Sequence, residues 1–321
     1  MPDVITIGNA LIDSFLTLHD ENVHARVNAG DNELCIRLGE KILLDSTQFV
    51  MGGNACNVAV GMSRIGIQSG LIAEIGDDAF GQKIMQGLQA EDVDTAFVTQ
   101  RGESSFAVGL QFQGDRTLFV QHHVREHAFP LDTLQAKLVF LTSLGTKWHH
   151  VYEGIIAAKK GASFLLAVNP GTPQLSEGRA YLAPLFAVSD MVFLNKEETQ
   201  GLLGTTEEDP IRLLSLLHAL GGKLVVMMDG EHGAYAQDHE KRYFLPAYRC
   251  EVVEKTGAGD SWTTGFMAAQ LFGKDVPTSM KWGNANAVSV IGKIGAQAGL
   301  LPQDMLETNA GKQPEVEVVG I

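Results

Sequence analysis

Short, mostly apolar runs alternate along this chain with longer stretches in which apolar residues recur at helical spacing. Residues 4–7, 71–75, 138–142, 164–168, 191–194 and 224–228 are runs of strand length, rich in Val, Ile, Leu and Met. Runs that short, with so few polar breaks, predict strands buried on both faces. Helical patterning is found at residues 55–65, 80–90, 151–160, 209–220, 261–272 and 278–292. Alternation of this kind predicts a central, mostly parallel sheet flanked by helices, a Rossmann-like three-layer α/β core.

Two stretches interrupt the rhythm. Residues 16–48 and 95–120 are polar and strand-like, with turn signals at Asn28-Ala29-Gly30-Asp31 and Gln113-Gly114-Asp115. Phe106, Val108, Leu110 and Phe112 alternate with other residues, the period of a half-buried strand. A small β-sheet outside the main layer is expected here, either a lid or an edge extension of the core. As a lid over 16–48 and 95–120, it leaves 1–15, 49–94 and 121–321 as the core. An exposed edge of that sheet could pair with a second copy, giving a homodimer. The residues after Leu306 are polar and acidic and are expected to be loosely ordered.

Composition narrows the function classes. Hydrophobic residues make up 45% of the 321 and charged residues 19%, the balance of a soluble globular protein. Apolar runs stop at strand length, so no membrane span is expected, and no basic leader precedes an apolar segment as in a signal peptide. Cys35, Cys56 and Cys250 lie far apart without a CxxC pair, against zinc or disulfide scaffolding and for a reducing cytoplasm. A net charge of −14 would repel a phosphate backbone, so no nucleic-acid partner is expected. A nucleotide stays open, because a few backbone amides can hold phosphates locally.

Candidate chemistry is concentrated in Thr256-Gly257-Ala258-Gly259-Asp260, which precedes the helical pattern at 261–272. Glycines there permit positive φ and leave amides unshielded, and outward amides at a helix start form an anion site. Asp260 beside that site could take the proton of an attacking hydroxyl while Gly257, Ala258 and Gly259 hold a phosphoryl group. Taken alone, the segment is more simply a glycine turn with Asp260 as an ordinary cap. A dinucleotide GxGxxG fails because Trp262 stands at its third glycine, and no GxxxxGK[ST] occurs.

Gly52-Gly53-Asn54-Ala55-Cys56-Asn57 is the second signal. Two glycines let backbone approach a ligand, and Asn57 can both donate to and accept from hydroxyls. The plainer alternative has Asn54 capping a tightly packed helix. Asp13, after Gly8-Asn9-Ala10, could accept from two neighbouring hydroxyls, or be a solvated loop residue. Asn195-Lys196-Glu197-Glu198 has the spacing of a helix capping box. Arg116 and Arg125 are read as surface arginines, with phosphate neutralisation as the alternative.

These two signatures, in this order, resemble those of ribokinase-like (PfkB) kinases over nearly the whole chain, Gly265 and Arg64-Ile65-Gly66 included. The resemblance implies a ribokinase-like fold and transfer of a phosphoryl group from ATP to a hydroxyl of a sugar, with a nucleoside as the alternative acceptor. It implies that Asp260 is the base and residues 257–259 the anion hole. Asn9, Asp13, Gly52, Gly53 and Asn57 would face the acceptor, and Asn195, Gly230, Gly233, Thr256 and Asn284 the nucleotide. Glu198 would organise Mg²⁺ through water. A monovalent cation such as K⁺ is left open, because Glu254 stands where the family usually has an aspartate.

Overall fold

The computed structural model describes residues 1–321 except Val23, Ala29, Asp31, Asn32 and Gly114, and leaves aside the side chains of Asp115 and Thr133. Both expected turns therefore lie partly outside the described residues.

The chain starts with β1 (Val4–Ile7) and β2 (Leu11–Leu18), then a small ribbon of β3 (Ala25–Asn28) and β4 (Glu33–Ile36). β5 (Leu44–Gly52) leads into α1 (Asn54–Arg64), followed by β6 (Ser69–Ile75), α2 (Ala79–Ala90) and β7 (Val98–Gln100). A hairpin of β8 (Phe106–Phe112) and β9 (Asp115–Gln121) comes next. The middle of the chain is β10 (Leu138–Thr142), α3 (His149–Gly161), β11 (Leu165–Asn169), α4 (Thr172–Leu175), α5 (Arg179–Val188), β12 (Met191–Asn195) and α6 (Lys196–Leu203). The remainder is α7 (Pro210–His218), β13 (Leu224–Met228), β14 (Ala234–Gln237), β15 (Lys241–Leu245), α8 (Ala258–Leu271), α9 (Val276–Ile291), α10 (Gln303–Ala310) and β16 (Glu317–Gly320).

Ten strands form the main sheet in the order β16-β15-β14-β13-β12-β11-β10-β1-β6-β7. Pairing is parallel from β7 through β13 and antiparallel beyond it. Alternation within each strand supplies both faces. Leu138 and Phe140 pack with α1, α8 and α9 on one side, around Met62, Phe266 and Met280. Val139 and Leu141 pack with α3, α5 and α7 on the other, around Tyr152, Phe186 and Leu217. Strand order reverses at β1, which lies between β6 and β10, and a parallel sheet opens a crevice at the carboxyl ends of its strands at such a point. Asn9 and Ser143 stand there, joined by Asn9 N–H donating to Ser143 O at 3.0 Å.

A four-stranded sheet, β5-β2-β8-β9, stands apart from the main one. β2 pairs in continuous register from Leu11 to Thr17, and β5 pairs as far as Gly52, so residues 11–15 and 49–52, expected in the core, belong to this second sheet. Residues 98–100, expected in the lid, pair with β6 in the main sheet. Residues 317–320, expected to be loose, form a strand on β15, because its open edge offers unpaired backbone groups.

Local sequence explains the helix starts. Asp78, Asp209 and Asp275 cap α2, α7 and α9 by accepting from backbone N–H groups. Asn195 and Glu198 make the expected reciprocal capping box on α6. α1 and α8 differ: each begins on a glycine, Gly53 and Gly257, with no side-chain cap. Asn54 and Asp260 are therefore not caps, and their side chains are turned to another use.

Candidate active site

Asp260 lies in the first turn of α8, and its carboxylate faces the first turn of α1. Asn54 Nδ2 donates to Oδ1 at 3.0 Å and Asn57 Nδ2 donates to Oδ2 at 2.8 Å. Residues three apart share a helix face, which is why both amides reach one carboxylate. Gln297 Nε2 in turn donates to Asn57 Oδ1 at 2.9 Å, fixing that amide's orientation. Close packing of the two helices permits this: a Cβ at Gly61 would lie 2.7 Å from Thr264 Cγ2.

Burial raises the Asp260 pKa, and the Asn57 and Asn54 amides oppose the rise by stabilising the anion. Asp13, on β2, is pushed up to about 6 by burial and by the charge of Asp260, with Arg116 pulling it back. Its carboxylate lies directly over Gly52, where an added Cβ would come within 2.0 Å of Oδ2. Glu198 is raised by burial, and the charge of Asp260 reaches it too. Asp13 and Glu198, on two other elements, thus both feel the charge of Asp260.

Gly257 adopts the left-handed region at φ 77°, and a Cβ there would meet Ala296 Cβ at 2.4 Å. α8 therefore begins one turn earlier than the helical pattern suggested, at Ala258, with Gly259 exposed and nothing within 4 Å of its would-be Cβ. First-turn amides have no acceptor within their own helix and point outward with the positive end of its dipole. Thr256 Oγ1, beside them, is buried without a hydrogen-bond partner. Open space, outward amides and an unsatisfied hydroxyl together fit the phosphates of a nucleotide.

The remaining candidates are spread along the ends of the strands. Asn9 holds the β1 end to β10, its Nδ2 donating to Ser143 Oγ at 3.4 Å and its carbonyl accepting from Cys56 N–H. Gly53 must be small because its Cβ would lie 2.5 Å from Asn9 O. Asn195 N–H donates to Glu198 Oε2 at 2.9 Å. Among the described residues no group of three His, Cys, Asp or Glu side chains could hold a metal ion. Magnesium keeps most of its water and needs few protein ligands, so the lack of such a group is compatible with it. Gly230 opens a short 3-10 turn after β13, and Gly233 follows it. Asn284 Nδ2 donates to Gln313 Oε1 at 2.6 Å. Among the described residues none of these three is hydrogen-bonded to the Asp260 cluster.

Asn54 and Gln297 escaped sequence reasoning. The spacing of Asn54 from Asn57 was the available signal for the first; nothing local marks the second. Both arginines read as surface residues are tied down instead. Arg116 pairs with the buried carboxylate of Glu254, and Arg125 donates to the carbonyls of Arg101 and Glu103. Glu254 also accepts from Thr256 N–H at 2.7 Å and from Gly295 N–H at 3.2 Å.

The chain is 25% identical over 283 residues to the ribokinase of Bacillus subtilis, covering 84% of this chain and 91% of that one. It is 27% identical over 264 residues to the 5-dehydro-2-deoxygluconokinase of Bacillus velezensis, covering 76% and 80%. Among solved structures, Burkholderia thailandensis nucleoside kinase in complex with inosine superposes with a TM-score of 0.78 at 17% identity, over 97% of this chain and 100% of the other. A candidate ribokinase II from E. coli, in complex with ATP and Mg²⁺, gives 0.79 at 18% identity, over 98% and 100%. The model of the pfkB family carbohydrate kinases matches residues 24–304, and the chain belongs to that family.

Proposed function

We propose that this ATP-dependent kinase phosphorylates a hydroxyl of a small sugar, in the manner of a ribokinase or fructokinase, with Asp260 as the base. The carrying observation is the Asp260 carboxylate held by two α1 amides at the start of α8, close enough to Asp13 for its charge to raise that group's pKa. A base in such a place must be ionised and aimed, and Asn54 and Asn57 supply both conditions.

The acceptor lies between β2 and α1, where Asp13 accepts hydrogen bonds from neighbouring hydroxyls and Asn57 and Asn9 line the floor. Asp260 takes the proton of the reacting hydroxyl as its oxygen forms the new bond to the γ-phosphorus of ATP. The bond from that phosphorus to the β,γ-bridging oxygen breaks and ADP leaves. Negative charge spreads over the transferring group and is met by the amides of residues 257–259. Mg²⁺, organised by Glu198 through water, supplies charge neutralisation on the phosphates when bound. Asn195, Thr256, Gly230, Gly233 and Asn284 belong to the nucleotide side.

The second sheet acts as a lid, keeping water, a competing nucleophile, from the phosphoryl group. Its edge strand β9, with Phe119 exposed, supports pairing with a second copy of the chain. Three free cysteines support a reducing, cytoplasmic setting. Of the helices described, none is long and apolar enough to cross a membrane.

A panel of ribose, fructose, other hexoses, 5-dehydro-2-deoxygluconate and adenosine, followed by ADP release, tests the reading. Sugar-dependent ADP formation is expected. Turnover confined to adenosine assigns the chain to nucleosides, whose kinases share the fold. Tight sugar binding without ADP across the panel would make it a non-catalytic sensor.

A further inference from the structure

Glu254 presents an electrostatic demand at the edge of this site. Its side chain is 2% exposed, and it lies in the segment leading into Gly257. A carboxylate buried that deeply needs a compensating positive charge, because two amide hydrogen bonds only partly replace its hydration. A cation from solution could answer the demand, and a family resemblance leaves K⁺ open at this position.

The cation is already part of the chain. Thr17 pairs with Gln111 across β2 and β8, and Gln111 pairs with Arg116 across β8 and β9. Opposed residues of neighbouring strands point to the same face, and so do residues two apart along a strand. Arg116 therefore shares the face of Thr17, Phe15 and Asp13. That face looks onto the core: Phe15 and Val50 approach Gly295, whose N–H is one of the donors to Glu254. From there the guanidinium reaches across and pairs with Glu254. A guanidinium fills the place with fixed donors, and the donors already on both carboxylate oxygens leave a poor ligand set for an added metal ion.

We propose that Arg116 is the resident cation of the loop before α8, so that this kinase works without an added monovalent cation. Arg116 acts through the loop rather than on the reacting atoms, which makes it a positioning residue. Through Glu254 it fixes the Thr256 and Gly295 amides, and it ties the second sheet to that loop.

The test compares wild type with Arg116→Ala and Arg116→Lys in buffers whose only added monovalent cation is choline, Na⁺ or K⁺. It reads both melting temperature and, where an acceptor is turned over, kcat. Wild type should behave alike in all three. Arg116→Ala should melt lower in choline by roughly 5–10 °C, the scale of an orphaned buried charge, and K⁺ should restore much of the loss. Arg116→Lys should keep the wild-type indifference. Should Arg116→Ala not fold, Arg116→Ala with Glu254→Gln, which removes the demand as well as the supply, should fold and show no cation response. Loss of most wild-type turnover or melting stability in choline would overturn the proposal, as would an Arg116→Ala protein indifferent to K⁺. Because melting needs no catalysis, a failure here is distinct from a failure of the proposed reaction, on which only the kcat arm rests.

Discussion

Asn57 donates its amide to Asp260 at 2.8 Å while its own carbonyl oxygen accepts from Gln297 at 2.9 Å. The second bond removes the ambiguity of a freely turning amide. Asn57 must present N–H to the carboxylate, and so favours its ionised form. A hydrogen bond to a charged group contributes about 1.5–3 kcal/mol.

Asp260→Asn removes the proton acceptor and keeps the shape. Turnover should fall by about 10²–10⁴-fold, the usual share of a general base, with ATP affinity nearly unchanged. Steady-state kinetics and calorimetric titration of ATP check this; wild-type turnover in the variant would reject the assignment.

Asn57→Ala takes away a group that lowers the Asp260 pKa. The acid limb of kcat/KM should move to higher pH by about one unit or more, the equivalent of the lost bond. A pH profile of wild type and variant reads it. An unmoved limb with uniformly lower rates would mean that Asn57 serves only packing.

Asp13 has a folded pKa of about 6 against an ordinary 3.8, so the folded state holds its proton more tightly than the unfolded one. Stability from this group is full at acid pH and is lost as pH rises through about 4 to 6, on the order of 3 kcal/mol. Asp13→Asn should therefore melt higher than wild type at pH 7.5 and lose that advantage near pH 4, while the acceptor KM rises steeply. Thermal melts across pH, set beside acceptor kinetics, decide it.

Gly52→Ala places a methyl group where the Asp13 carboxylate lies. Acceptor KM should rise about tenfold or more, the scale of a misplaced binding group, with ATP affinity retained. Equal losses on both substrates would point to general unfolding of the α1 start.

Much of this was legible from local pattern. Strand runs and helix periodicity gave the layers, and the glycine-flanked starts of α1 and α8 marked two helices whose first-turn polar side chains are not used as caps. What stayed hidden is long-range. Asn54 looked like a cap because the partner that claims its amide lies 206 residues away. Arg116 looked like a surface residue because only strand pairing brings it to Glu254. The sheet boundary was misplaced because β2 and β5 are apolar where they leave the core, so no change of composition marks the crossing.

Handling of the protein should respect β16. It covers the hydrogen-bonding border of β15, with Glu317 opposite Phe244 and Val316 against the core. Clipping residues 317–321 would bare a row of donors and acceptors that can template another polypeptide, and the shortened protein should clump. Glu317 is the charge that β16 itself carries on that border.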